Sequence, residues 1–300
     1  YVLGLEITDP GFDYSVLSEF RDRLIQGGEE AVLLDELLSK LKERNLVKAG
    51  GQQRTDSTHI LAAVRQLNRL EIVGETVRRA LNELSEFDPA WLQSIAKPEW
   101  FGRYGRRFEQ IRLPKEDKKR KALAETIGLD SFYLLEAVRA SQQAEELREL
   151  AGVEFLRRMW IQQYWIENDA EGGQQFHLRE DDTQPPGKMR LHSPYDEDAR
   201  FSAKRKLEWV GYKTHLSETC EPAEIHVITQ VTTTLATESD MEALDTVHTN
   251  LADKHLLPKE HLLDGGYVDG DALTSAQRDL GMSLISPIRE LVSWQAKAGQ

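Results

Sequence analysis

Cysteine is almost absent: Cys220 is the only one in 300 residues. An internal disulfide and a thiolate zinc cluster are thereby excluded, and a reducing cytosol is the simplest setting. Histidine offers no substitute, because none of the eight stands at an H-x-x-x-H or comparable zinc spacing. Long apolar runs are missing too. No stretch approaches the roughly 18 consecutive apolar residues of a membrane span, and no signal-peptide pattern opens the chain. Cations are in deficit, with 38 Lys and Arg against 51 Asp and Glu and a formal net charge of −13. That balance argues against nucleic acid as a partner, since phosphate contacts need Lys and Arg. The chain opens at Tyr1 without Met and stops in polar sequence after SWQAKAGQ, which gives the expectation of an incomplete copy.

What is present softens the charge argument. Between Lys97 and Lys121 ten basic residues stand against four acidic ones, a local charge of about +6. Trp100, Phe101, Tyr104 and Phe108 are interleaved with them. A second basic patch comprises Arg200, Lys204, Arg205, Lys206 and Lys213. Either run also reads as an ordinary solvated face.

Residues 13–46 carry two helical periods broken by Gly27-Gly28, with Asp13 or Ser15 as the first cap. QQRTDST then reads as a short extended piece ending at Asp56. Ser57 or Thr58 is expected to cap a long helix that reaches about Phe87, with Ile60, Val64 and Leu67 on its apolar face. More helix is expected through 130–140 and 143–167, where Phe155, Trp160, Tyr164 and Trp165 read as core. Residues 168–204, acidic and poor in apolar side chains, read as a connection. Beyond it the period switches to two. KLEWVGYKTHLSET and AEIHVITQVTTTLAT read as paired strands, 239–253 as a helix, HLLD as a strand ending at Asp264, DALTSAQRDL as a helix and MSLISPI as a strand. The latter half is thus β-β-α-β-α-β, a mixed sheet with helices packed on it.

Asp56 and Asp264 each close a short extended run beside small or polar residues. Carboxylates so placed can hold Mg²⁺, which binds through one or two of them plus substrate phosphates. Two such ions about 3.5–4 Å apart clamp the attacking and leaving oxygens of a phosphoryl transfer. Each aspartate has a plainer reading: Asp56 as a helix cap, Asp264 as part of an Asp-Gly turn. Asp269 and Asp271 read as caps of the following helix, Asp196 and Asp198 as loop charges, and His59 and His215 as surface or packed side chains. If the 52–56 strand joins the later strands, a helical block is inserted between them. Asp56 and Asp264 then end adjacent strands and face each other.

The stretches LEITDPGFDYSVLSEFRDRLI, RTDSTHILAAVRQLNRLEIVGETVRRAL, WFGRYGRRFEQIRLPK, SPYDEDARFSAKRKLEWVGYKTHLSETCEP, HLLDGGYVDGDAL and SPIRELVSWQAKAG span nearly the whole chain. In them it resembles bacterial insertion-sequence transposases of the IS1182 type, in the DDE group. The resemblance implies an α+β or α/β fold: a helical amino-terminal domain over 1–50, then a partial ribonuclease-H-like catalytic domain over 51–300. The latter's sheet would be interrupted by a helical insertion at about 58–167, with a linker at about 168–204. Asp56 matches the family's first acidic residue and Asp264 its second. The third, a glutamate on a later helix, has no counterpart before Gln300, and Glu290 does not fit its motif.

The implied chemistry is hydrolysis of a phosphodiester at the element's end, followed by attack of the released 3′-hydroxyl on target DNA. Asp56 and Asp264 would hold two Mg²⁺ or Mn²⁺ ions. The implied partners are the element's terminal inverted repeats and target DNA, bound by a homodimer in the bacterial cytoplasm at the nucleoid, with no membrane. Arg103, Arg106, Arg107, Lys118, Lys119, Arg120 and Lys213 are the expected DNA contacts. Without its third carboxylate the chain is expected to have little strand-transfer activity. Two other readings stand beside this one: a non-catalytic DNA-binding or dimerisation remnant, and a metal-dependent nuclease or phosphatase on the same sheet.

Overall fold

Two aspartates far apart in sequence can share a site only if their strands pair. A computed structural model describes residues 11–63, 68–111, 113–168, 173–204, 206–222 and 224–287. Among them are ten α-helices, a six-stranded mixed sheet and a two-stranded hairpin, a mixed α/β architecture. No helix among the described residues is long and apolar enough to cross a membrane.

The large sheet has the order β4-β5-β1-β7-β8, with β6 also paired to β5. Its first strand, β1 (Gln52–Leu61), sits between β5 (Leu207–Thr219) and β7 (Glu260–Leu263). β1 is parallel to β7, and β7 is parallel to β8 (Ser283–Ile285). Toward β5 it runs antiparallel: Cys220 N donates to the Gln52 carbonyl and Ala62 N to the Val210 carbonyl. β4 (Arg200–Lys204) and β6 (Ile228–Leu235) take the other edge of the long β5. Between β6 and β7 comes α9 (Asp240–Asp253), and between β7 and β8 comes α10 (Gly270–Leu280), capped by Asp269 and closed by Gly281 in the left-handed region. The expected β-β-α-β-α-β order of the latter half is therefore observed.

The chain divides into two compact units. The first comprises residues 1–56, 216–231 and 244–300. Here α1 (Tyr14–Gly27) starts at its Asp13 cap and ends at left-handed Gly28, and α2 (Val32–Glu43) follows. Leu38 of α2 and the nearby Val47 are buried with Val247, Leu251 and Leu256. Helix α2 thus contributes to the same core as α9. The reason is the Leu34, Leu38 and Leu41 stripe at helical spacing, which needs an apolar partner.

The second unit comprises residues 57–215 and 232–243 and holds the inserted helices. Leu70, Val73, Val77, Ala80 and Leu84 of α3 (Arg69–Phe87) recur every three or four residues and are all buried. They share a core with Ile127, Leu134 and Val138 of α6 (Asp117–Ala140) and Phe155, Leu156 and Met159 of α8 (Ala151–Gln163). Burying each large aliphatic side chain contributes about 1.5–3 kcal/mol. α4 (Pro89–Ile95), α5 (Pro98–Tyr104) and α7 (Ala144–Glu149) complete the block.

Three sequence expectations are corrected. β1 does not end at Asp56 but continues to Leu61, so Ser57 and Thr58 cap nothing. Helix α3 begins at Arg69 instead, where Asn68 and Glu71 form a reciprocal capping box. Ile60 therefore belongs to a strand, and Val64 and Leu67 lie outside the described residues. The helix expected through 167 stops at Gln163. Tyr164–Asn168 is β2, paired antiparallel with β3 (Gln174–Leu178), which puts Trp165 on a hairpin. The connection expected at 168–204 thus contains β3 and β4.

Gly211 on β5 shows why the two long strands can lie together. Its φ is +156°, and a Cβ there would stand 2.1 Å from the Ile60 carbonyl oxygen. Only glycine admits that approach.

Candidate functional site

Strand β1 alternates buried and exposed side chains around Asp56: Gln53 and Thr55 are buried, while Arg54 and Asp56 are exposed. Strand β7 does the same more loosely, with His261 and Leu263 buried. The parallel register aligns Gln53 with His261 and Thr55 with Leu263. Asp56 and Asp264 are the residues that follow the last aligned pair, Thr55 and Leu263. Adjacent strands lie about 4.7–4.9 Å apart, and both aspartates are exposed. The expectation that they end adjacent strands holds for Asp264. Asp56 instead lies within its strand, which removes its reading as a helix cap.

Asp264 is held by a turn. Its Oδ1 accepts from Gly266 N, and its carbonyl accepts from Tyr267 N at 3.2 Å. Tyr267 is fully buried with Leu244 and Leu263, which fixes the turn to the core. The Asp-Gly turn reading is thus correct for the backbone, and it leaves Asp264 Oδ2 for other work. Two residues before Asp56, Arg54 forms an ion pair with Glu218 of β5.

Behind the aspartates lies a buried polar chain that sequence reasoning missed. Thr55 Oγ1 is 2.6 Å from Ser217 Oγ and 2.7 Å from His261 Nε2. His261 Nδ1 is 3.1 Å from His248 Nε2, so one proton is shared along that contact. Gln53 donates to the Leu256 carbonyl at 2.7 Å and accepts from Thr229 Oγ1 at 2.6 Å. Burial pushes the His248 imidazolium down to about 4. Burial, and then the neighbouring His248, push that of His261 down to about 3. Both rings are neutral at pH 7. QQRTDS is polar at every position, so the sequence carried no signal for which of its side chains are buried.

The expected DNA contacts fare differently from one another. Arg103 is paired with Asp130, which also accepts from Tyr104 Oη at 2.8 Å. Lys213 donates to the Glu238 carbonyl at 2.6 Å and lies 3.0 Å from Asp240 Oδ1. Both cations are therefore engaged by internal acceptors. Arg106 and Lys118 are exposed. Arg107 is 3.6 Å from Glu109, and Lys119 is 2.8 Å from Glu116, at the surface. Arg120 is half-buried beside a cleft.

Of the remaining candidates, Asp269 caps α10 as expected. Asp196 accepts from Tyr212 Oη and from Ala199 N, which orders its loop. His59 stacks on Trp209 with ring centroids 4.9 Å apart. His215 is fully buried, with Nε2 3.1 Å from Thr234 Oγ1. Glu290 lies outside the described residues. Among the described residues no group of three His, Cys, Asp or Glu side chains converges as a metal site.

The donor set of Asp56 and Asp264 is all oxygen, anionic and exposed. It fits a hard cation of the Mg²⁺ or Mn²⁺ kind, which usually takes one or two protein carboxylates and completes its shell with water and phosphate. Comparison of the chain with protein-family models, with curated proteins and with solved structures returned no match.

Proposed function

We propose that the chain acts on DNA phosphodiesters as an insertion-sequence transposase of the DDE type, through a ribonuclease-H-like sheet centred on Asp56 and Asp264. One observation supports this reading: the parallel β1–β7 register, which pairs Thr55 with Leu263, the residues immediately before the two aspartates. It is supported by a mixed sheet whose first strand lies between an antiparallel and a parallel neighbour. The helical block inserted between β1 and the later strands adds further support.

Asp56 and Asp264 would hold Mg²⁺ or Mn²⁺. When bound, such ions polarise a phosphodiester oxygen and make a bound water a stronger nucleophile. The chain's own residues do the rest. Two carboxylates repel a phosphodiester, so the bare site disfavours DNA and the neutralised one admits it. The Thr55–Ser217 and Thr55–His261 contacts tie β1, β5 and β7 together behind the residues proposed to hold the ion.

A second reading, a non-catalytic DNA-binding or dimerisation remnant, draws on the absence of a third converging carboxylate among the described residues. DNA binding measured with and without Mn²⁺ separates the two. The transposase reading expects Mn²⁺ to raise affinity for duplex DNA in the wild type but not in Asp56→Asn or Asp264→Asn. DNA affinity that ignores Mn²⁺ in all three proteins favours the remnant. No DNA binding under any condition rejects both.

A further inference from the structure

Within the second unit, the start of α3, the first turns of α6 and the end of β3 enclose a cleft of about 270 Å³. This is near the lower end of small-molecule sites, about 300–1,000 Å³. Four cations line it, Arg69, Arg120, Lys121 and Arg179, against one carboxylate, Glu180. In a chain of formal charge −13 that concentration runs against the whole.

Two of the guanidinium groups are oriented by neutral acceptors. Arg69 Nε donates to Gln163 Oε1 at 2.6 Å, and its Nη2 donates to the Arg179 carbonyl. Arg179 Nε in turn donates to the Ile161 carbonyl at 3.2 Å, and its backbone N–H donates to the Gln163 carbonyl at 2.8 Å. The Arg179 bonds, to an uncharged carbonyl and from its backbone, fix direction without cancelling its charge. The floor is apolar, formed by Leu70, Val73, Ala124 and Leu178. A cationic rim over an apolar floor suits a ligand with an anionic head and a less polar body. A planar guanidinium matches phosphate in particular, by paired N–H donors.

We propose that this cleft binds one phosphate ester together with its sugar. Arg120, Lys121 and Arg179 take the phosphate, and Leu70 and Val73 face the sugar. The ligand is one unit of a DNA strand, and that part rests on the DNA-processing function proposed above. The cleft itself stands on its own geometry.

Binding of a labelled single-stranded oligodeoxynucleotide, over a range of salt, and of a free deoxynucleoside monophosphate tests the proposal. The proteins are the wild-type chain, Arg120→Gln/Lys121→Gln, and Arg139→Gln as a control outside the cleft. Arg120 is half-buried and Lys121 exposed, so the double variant is expected to keep the wild-type circular dichroism and Tm. The expected result is weaker strand binding by the double variant alone. Its log–log salt slope should be shallower by about 1.4, from two lost contacts at about 0.7 each.

Unchanged affinity and slope for both ligands in the double variant would overturn the cleft assignment. An equal loss in Arg139→Gln would overturn it too, as undirected charge attraction. Monophosphate binding that the double variant loses, with no strand binding by the wild type, keeps the phosphate-ester site and rejects DNA as its source. Binding of neither ligand to the wild type rejects both.

Discussion

The Thr55 hydroxyl lies 2.7 Å from His261 Nε2, a side-chain bond between the strand that carries Asp56 and the strand that leads to Asp264. It sits one residue before the first aspartate and three before the second, on the buried side of the sheet. The same hydroxyl reaches Ser217 on β5, so one buried oxygen touches three strands.

Thr55→Val keeps the shape and removes the hydroxyl. Two buried polar groups then lose their partner, at about 1–3 kcal/mol for each such group. The denaturation midpoint in urea should fall accordingly, with an unchanged m-value. A midpoint equal to wild type would show that the hydroxyl does not tie the strands.

The buried imidazoles predict acid sensitivity. His248 and His261 titrate at about 4 and about 3 in the fold, below the ordinary 6.5. Below pH 6.5 the unfolded chain therefore binds protons that the folded chain refuses. Stability is fully present above 6.5 and is lost progressively as pH falls toward 4 and then 3. Urea midpoints at pH 7, 5.5 and 4.5 should drop in that order, and less steeply in His248→Gln. A flat profile across that window would contradict the neutral, buried pair.

Gly211→Ala should be among the most damaging single substitutions in the sheet. Any Cβ meets the Ile60 carbonyl at 2.1 Å, and φ of +156° strains an L-residue. A cost of about 3 kcal/mol or more, at the upper end for point substitutions, is expected in equilibrium unfolding. A change of a few tenths would mean that β1 and β5 do not approach as described.

On the function proposed above, any Mg²⁺-dependent strand transfer by the purified chain should be lost in Asp56→Asn and in Asp264→Asn. A strand-transfer assay with supercoiled target DNA reads this directly. Robust transfer that survives in Asp264→Asn would show that the chemistry lies elsewhere.

Much of this architecture was legible from local pattern. Met241, Leu244, Val247 and Leu251 gave α9 by their spacing, Gly281 marked the end of α10, and HLLD read as a buried strand. The failures share a cause. STHILAAVRQL fits a helical period, yet Thr58, Ile60 and Leu61 are strand because β5 lies alongside, as the Ala62–Val210 hydrogen bond shows. Trp165 follows an unbroken helical period too, but it pairs with His177 across the hairpin. Partners distant in sequence overrode local preference in both places. The parallel pairing of β1 with β7 could be framed from sequence only as a condition. The Thr55–His261–His248 chain needed coordinates, since nothing in the spacing joins those residues.

The most direct test is Mn²⁺ titration followed by electron paramagnetic resonance, comparing wild type, Asp56→Asn, Asp264→Asn and the double variant. Two carboxylates that form one metal site predict that either single substitution removes most of the affinity and that the double variant loses little more. Independent, additive losses, or Mn²⁺ affinity unchanged in both single variants, would contradict a shared site.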